Sequence, residues 1–157
     1  MKVLISEKEA EKLAEEIKKC ADKSANEEEL KIEIATLLHP VLKSWGVEPK
    51  YERYSGGSRC IASGRKDALY GTVILEYKAL GKLAKKREFE KAKEQVKNYI
   101  KKESSDEKRY GEYFGVVLDG YQISFLRYRR GEWEEQNEPL EVNAHTIKNL
   151  NSASFRE

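Results

Sequence analysis

Residues 72–79, TVILEYKA, constrain this chain more than any other stretch. The run is rich in β-branched and aromatic residues and reads as a strand. Side chains alternate across a strand, so Ile74, Glu76 and Lys78 share one face while Val73, Leu75 and Tyr77 share the other. The strand looks buried. A carboxylate and an ammonium side by side in it are costly unless something uses them. A further acid, Asp67, stands ahead of the run in residues 64–78, GRKDALYGTVILEYK.

A chain of 157 residues suits one domain with one core. Its net charge is only +2, so the total does not mark a nucleic-acid binder. The distribution says more. Residues 1–33 carry seven Lys against ten Asp and Glu, a local −3, whereas residues 82–102 carry nine Lys and Arg against three Glu, a local +6. A concentrated basic segment is either an electrostatic footprint for a polyanion or a solvated helix face. No apolar run approaches membrane-spanning length and no secretory signal opens the sequence, so a cytoplasmic protein is expected. Cys20 and Cys60 stand far apart without a CxxC pattern and are expected as reduced thiols. His39 and His145 are isolated too, and no zinc site is expected.

Ser6 and Glu9 fit a capping box, and Ala10, Leu13, Ala14, Ile17, Cys20 and Ala21 follow at helical spacing, which predicts a helix over 7–23. Asn26 caps a second helix with the stripe Leu30, Ile34, Leu37, Leu38, Val41, Leu42 and Trp45. Pro40 is expected to kink or divide it, and Gly46 to end it. Glu33 sits on the edge of the stripe, with Glu29 one turn earlier; by position alone either is an ordinary exposed acid. Short strands are expected over 51–54 and 59–63, and a basic loop over 80–87. A third helix over 88–102 buries Phe89, Ala92, Val96, Tyr99 and Ile100, and places Gln95 and Tyr99 on one face. Residues 103–111 read as a mobile loop. Strands over 113–118 and 121–128 flank Asp119-Gly120, a turn in which both residues are expected at positive φ. A turn at Gly131 and a final helix over 144–150, capped by Asn143, complete the chain. The expectation is an α+β domain over 1–157: an N-terminal helix 7–23, a core over about 26–130, and a C-terminal strand and short helix within 131–157. Its α/β/α layers hold a central mixed sheet of about four to five strands flanked by helices.

Strand, acid, strand with acid-x-Lys, then helix is an order that points to metal-dependent phosphodiester hydrolysis. Magnesium is a hard cation that takes one or two carboxylates plus phosphate oxygens and water. Asp67 and Glu76 could supply the carboxylates if their segments pair. Lys78 could hold or deprotonate water and offset transition-state charge, and Glu33 could orient an outer water. Asp67 with Glu76-Tyr77-Lys78 resembles the core motif of the PD-(D/E)XK nuclease superfamily. QVKNY, Gln95 through Tyr99, resembles the QxxxY motif of its RecB-like and type I restriction-subunit branches. NEEELKIEIATLLHPVLKSWGV resembles the opening helix of nuclease domains in restriction-modification proteins, and FGVVLDGYQISFLRY resembles the hairpin after their QxxxY helix. The resemblance covers about residues 26–130. It departs at Lys66, which stands where the family name has Pro.

The resemblance implies a restriction-endonuclease-like core and a magnesium-dependent DNA endonuclease, with manganese able to substitute, serving as the cleavage module of a restriction-modification system. It would make Asp67, Glu76 and the carbonyl of Tyr77 metal ligands and Lys78 the catalytic lysine. Gln95 would touch the lysine region or DNA, and Tyr99 would support it. Glu33 matches the first-helix acid, with Glu29 as the alternative. Lys82, Lys85, Lys86 and Arg87, by charge and closeness in sequence, would line the approach to the phosphate backbone. Partners would be DNA and other subunits or domains of the restriction-modification enzyme, and double-strand cleavage would call for a homodimer. The alternative is a catalytically inactive module on the same fold, holding nucleic acid or a protein. A third reading is a plain α+β scaffold with Glu76 and Lys78 as a structural ion pair. No base-reading element is evident in the sequence.

Overall fold

The computed structural model describes residues 4–46, 68–70, 73–104 and 106–153. The strands expected over 51–54 and 59–63, together with Cys60 and Asp67, lie outside them. Helix α1, Glu7–Lys23, starts with the capping box read from the sequence: Glu9 N donates to Ser6 Oγ and Ser6 N donates to the Glu9 carboxylate. Such a cap contributes about 1 kcal/mol. Helix α2, Glu27–Ser44, begins at Asn26, whose side chain accepts from Glu29 N at 2.9 Å. It buries Leu30, Ile34, Leu38 and Leu42, with Trp45 at its C-terminus, while Leu37 and Val41 are half-buried. The expected division at Pro40 does not occur. The helix runs through it, although proline has no N–H for the Thr36 carbonyl. The ring faces solvent, and the buried residues Leu38, Leu42 and Trp45 on either side hold the helix to the core.

The sheet is mixed. Its strands are β1 (Ala68–Tyr70), β2 (Val73–Tyr77), β3 (Phe114–Leu118), β4 (Gln122–Arg129), β5 (Glu132–Glu135) and the short β6 (Leu140–Glu141). Their order is β1-β2-β3-β4-β5, with β6 against the start of β4. β1 pairs antiparallel with β2, Ala68 opposite Leu75. β2 and β3 are parallel, Glu76 opposite Val117, and the crossover between them contains a 3-10 turn at Lys82–Ala84 and helix α3, Lys86–Ser104. The final helix, α4, spans Ala144–Ala153. Asn143 caps it reciprocally: Thr146 N donates to Asn143 Oδ1, and Asn143 N donates to Thr146 Oγ1.

Among the described residues, two apolar cores result. Val73, Leu75 and Tyr77 of β2 join Val116, Leu118 and Phe125 beneath α1, α2 and α4. Ile74 joins Val117 and Leu126 beneath Phe89, Ala92, Val96 and Ile100 of α3. This is the two-faced alternation read from the sequence. Gly115 permits the close seating of α3, because a Cβ there would stand 2.4 Å from Val96 Cγ1.

The hairpins depart from expectation. Of the Asp119-Gly120 pair, only Gly120 has positive φ (+98°). Asp119 instead folds its carboxylate back onto Tyr121 N and Gln122 N, at 3.0 and 2.8 Å. The two-residue loop with both residues at positive φ is Arg130-Gly131, between the paired Arg129 and Glu132. The expected loop over 103–111 is also structured: α3 extends to Ser104, and a 3-10 segment follows at Glu107–Glu112, capped by Asp106.

Candidate active site

The charged pair sits at the C-terminal end of β2. Glu76 is 4% exposed, and its Oε2 lies 3.1 Å from Lys78 Nζ. Lys78 N donates to Leu118 O at 2.9 Å, so pairing with β3 persists past the end of the strand. That pairing holds both charged side chains on the α3 face, where Ile74 is packed into the core. Removing a carboxylate such as Glu76 from water costs several kcal/mol before the attraction of its partner is counted. Tyr77, between them, sends its ring into the opposite core.

Helix α3 contributes Gln95 and Tyr99. Lys93 and Lys97 on one flank of α3 reach Glu135 of β5. Helical spacing places Gln95 and Tyr99 on the opposite flank, toward β2 and β1 in the strand order. Tyr99 packs against the α3-side core. The Oε1 of Gln95 is buried and accepts no hydrogen bond from any described residue.

The acids of α2 are placed unequally. Glu33 is exposed, and its backbone oxygen lies near Cys20 Sγ of α1. Burial, and then the Glu33 charge, push the Cys20 thiol above its ordinary range. Glu29 turns back on its own cap, accepting from Ala25 N at 3.3 Å. The carboxylate that reaches the exit of β2 belongs to Glu27, whose Oε1 accepts from Ala79 N at 3.3 Å. The spacing signal was present: Glu27, Leu30, Ile34 and Leu38 follow one another at three- and four-residue steps, so Glu27 continues the fully buried stripe.

Asp119 does more than shape its turn. Its carboxylate is fully buried and also accepts from Leu83 N at 3.0 Å, which ties the 3-10 turn after β2 to the β3–β4 hairpin. Beyond that turn, Lys85, Lys86 and Arg87 are exposed, and Lys82 lies 3.8 Å from Glu88. Lys86 and Arg87 belong to the first turn of α3 rather than to a loop. Cations there oppose the helix dipole and so add no helix stability.

The basic run over 82–102 is not uniformly a surface feature. Lys93 is 2% exposed; it is paired with Glu90 and Glu135, bonded to Gln136 O at 2.8 Å and set over the Phe89 ring. Burial disfavours the charged form of Glu135, but hydrogen bonds from Lys97 and Lys93 outweigh it and hold the carboxyl below its ordinary range.

Among the described residues, no three Asp, Glu, His or Cys side chains gather as a metal site would require. They offer the buried Glu76 and, at the strand exit, Glu27. Asp67 lies outside the described residues; its chain neighbour Ala68 pairs with Leu75, the residue before Glu76. No described helix is long and apolar enough to cross a membrane. Comparison with protein-family models, with curated proteins and with solved structures finds no match to this chain.

Proposed function

We propose that this chain is a magnesium-dependent DNA endonuclease domain on a PD-(D/E)XK-like core, acting as the cleavage module of a restriction-modification system in the cytoplasm. The observation that carries the proposal is the Glu76–Lys78 pair, a buried carboxylate 3.1 Å from a partly exposed ammonium at the end of a strand that runs parallel to β3. The element order supports the reading. An acid-bearing helix, the antiparallel β1–β2 pair, the crossover helix with Gln95 and Tyr99, and a hairpin after it follow in the sequence that the resemblance implies.

The donor set suits a hard cation. Glu76 is a buried oxygen donor, and the strand exit holds a second carboxylate in Glu27. Asp67, Glu76 and the Tyr77 carbonyl would hold the ion. When bound, magnesium would supply a polarised phosphate oxygen and a water of lowered pKa. Lys78 would hold the attacking water and balance the charge that gathers on the phosphate as its ester bond breaks. Glu76 keeps that ammonium in place before substrate arrives. Glu27 would anchor the strand exit and orient outer water. The exposed cations Lys85, Lys86 and Arg87, with Lys82, would track the phosphate backbone.

The test is incubation with supercoiled plasmid and Mg²⁺ or Mn²⁺, beside Asp67→Ala and Lys78→Ala proteins of matched stability. The expected result is metal-dependent nicking that both variants lose. DNA binding at low salt without cleavage would identify a binding module instead, and absence of any DNA interaction would refute both.

A further inference from the structure

A cavity of about 430 Å³ opens between β4, β5 and α4, at the end of the sheet away from Lys78. β4 runs antiparallel to β3, so Arg127 and Arg129 lie beside the start of β3 rather than its end. The floor is a stacked pair of rings, Phe114 and Phe125, 5.5 Å apart and inclined at 20°. Phe125, Arg127 and Arg129 alternate onto one face of β4.

One wall of the cavity is preset. β4 pairs with β5 through residues 126–129 and with β6 through residues 122–123, which leaves residues 124–125 without a strand partner on that edge. The side chain of Gln136 fills the gap, its Oε1 accepting from Phe125 N at 2.9 Å and from the buried Ser124 Oγ at 2.7 Å. A backbone N–H can only donate, so the atom facing it must be the amide oxygen, and Gln136 as a whole lines the cavity. Lys93 anchors the Gln136 backbone from the other side. Across the cavity, Asn149 adds an exposed amide from α4. Glu134 lies 3.7 Å from Arg129 with both side chains exposed, a weak pair that leaves the guanidinium open to a stronger anion.

Planar guanidinium groups match phosphate, aromatic rings match the flat face of a base, and a fixed amide matches its polar edge. The volume lies within the range of about 300–1,000 Å³ that small-molecule sites occupy. We propose that this cavity binds a nucleotide, with its phosphate on Arg129, its base against the Phe114–Phe125 pair and the base edge on Gln136. The occupant is either a free mononucleotide or an unpaired nucleotide within a strand. The inference stands apart from the nuclease reading, because it uses none of the same residues.

The test is calorimetric titration of the full chain in EDTA, where metal-dependent cleavage cannot intervene, with AMP, oligothymidylate and inorganic phosphate in turn. AMP or the oligonucleotide is expected to bind at least about tenfold tighter than phosphate. Arg129→Ala, at an exposed position, is expected to weaken that binding by about tenfold or more, the loss of a charge-assisted contact. Lys78→Ala should leave it unchanged. Binding of AMP marks the free nucleotide as occupant; binding of the oligonucleotide alone marks a strand. The proposal is overturned if neither binds, if phosphate binds as tightly as both, if Arg129→Ala has no effect, or if Lys78→Ala weakens binding equally.

Discussion

The carboxylate of Glu27 reaches Ala79 N because the first turn of α2 lies over the exit of β2, in line with Leu30 and Ile34. If the nuclease proposal holds, Glu27→Gln should lower metal-dependent nicking by about 10- to 100-fold, as loss of an outer-shell partner does. Glu33→Gln should leave it near wild type, since that side chain is exposed beside α1. Equal losses in both variants would remove Glu27 from the site. Lys93 offers a second test, on stability rather than activity. Lys93→Ala leaves Glu135 with one cation and opens a void, and should cost about 3 kcal/mol in urea unfolding; Lys93→Met, which refills the volume, should cost clearly less. The same cluster predicts a pH effect. The folded Glu135 carboxyl titrates below its ordinary 4.5, so its contribution is complete above that value and is lost as pH falls through the lower folded value. Thermal melts from neutral to about pH 3 should show a steeper acid loss in wild type than in Glu135→Gln. Little of this was legible in the chain. Lys93 is one residue past Ala92 on a stripe already complete without it, and its partner Glu135 lies far along the sequence.

Elements were more legible than residues because their signals are local. The capping box at Ser6, the Asn26 cap and the two-faced pattern of β2 each depend on neighbours a few residues away, and the structure has all three. Local rules give way where tertiary packing overrides them. Pro40 breaks helices in isolation, yet α2 continues through it because Leu38, Leu42 and Trp45 are held in the core. The cost is still stored there. Pro40→Ala restores an N–H to the Thr36 carbonyl at an exposed site and should stabilise the protein by about 1–3 kcal/mol in urea unfolding. A fall in midpoint would mean that the helix had already adjusted to the ring. Asp119 misled for the opposite reason. The Asp-Gly signal did mark a hairpin, but the carboxylate found three backbone N–H donors and held the residue out of the left-handed region.

At the scale of the whole molecule, the fold sorts charge that the sequence only counts. Lys93 and Lys97 of the basic run are drawn toward Glu135, which leaves the cations before and at the start of α3 as the outward part of that run near β2. Asp119 fixes the turn carrying Lys82 to the β3–β4 hairpin, so Lys82 stands on a braced turn that follows β2. A phosphate backbone bound there would release counterions in proportion to the charges engaged, with a slope of about −0.9 per phosphate in log affinity against log salt. Replacing Lys82, Lys85, Lys86 and Arg87 with Gln should therefore make the slope for duplex DNA shallower by up to about 3.6, measured by fluorescence anisotropy with Ca²⁺ in place of Mg²⁺. Lys78→Ala should lower cleavage far more than it changes that slope, since one charge among several sets affinity only weakly. An unchanged slope in the fourfold variant would move the DNA path to another face of the sheet. The Glu76–Lys78 pair would then be a charge cluster without a route for its substrate, and the nuclease proposal would lose its electrostatic support.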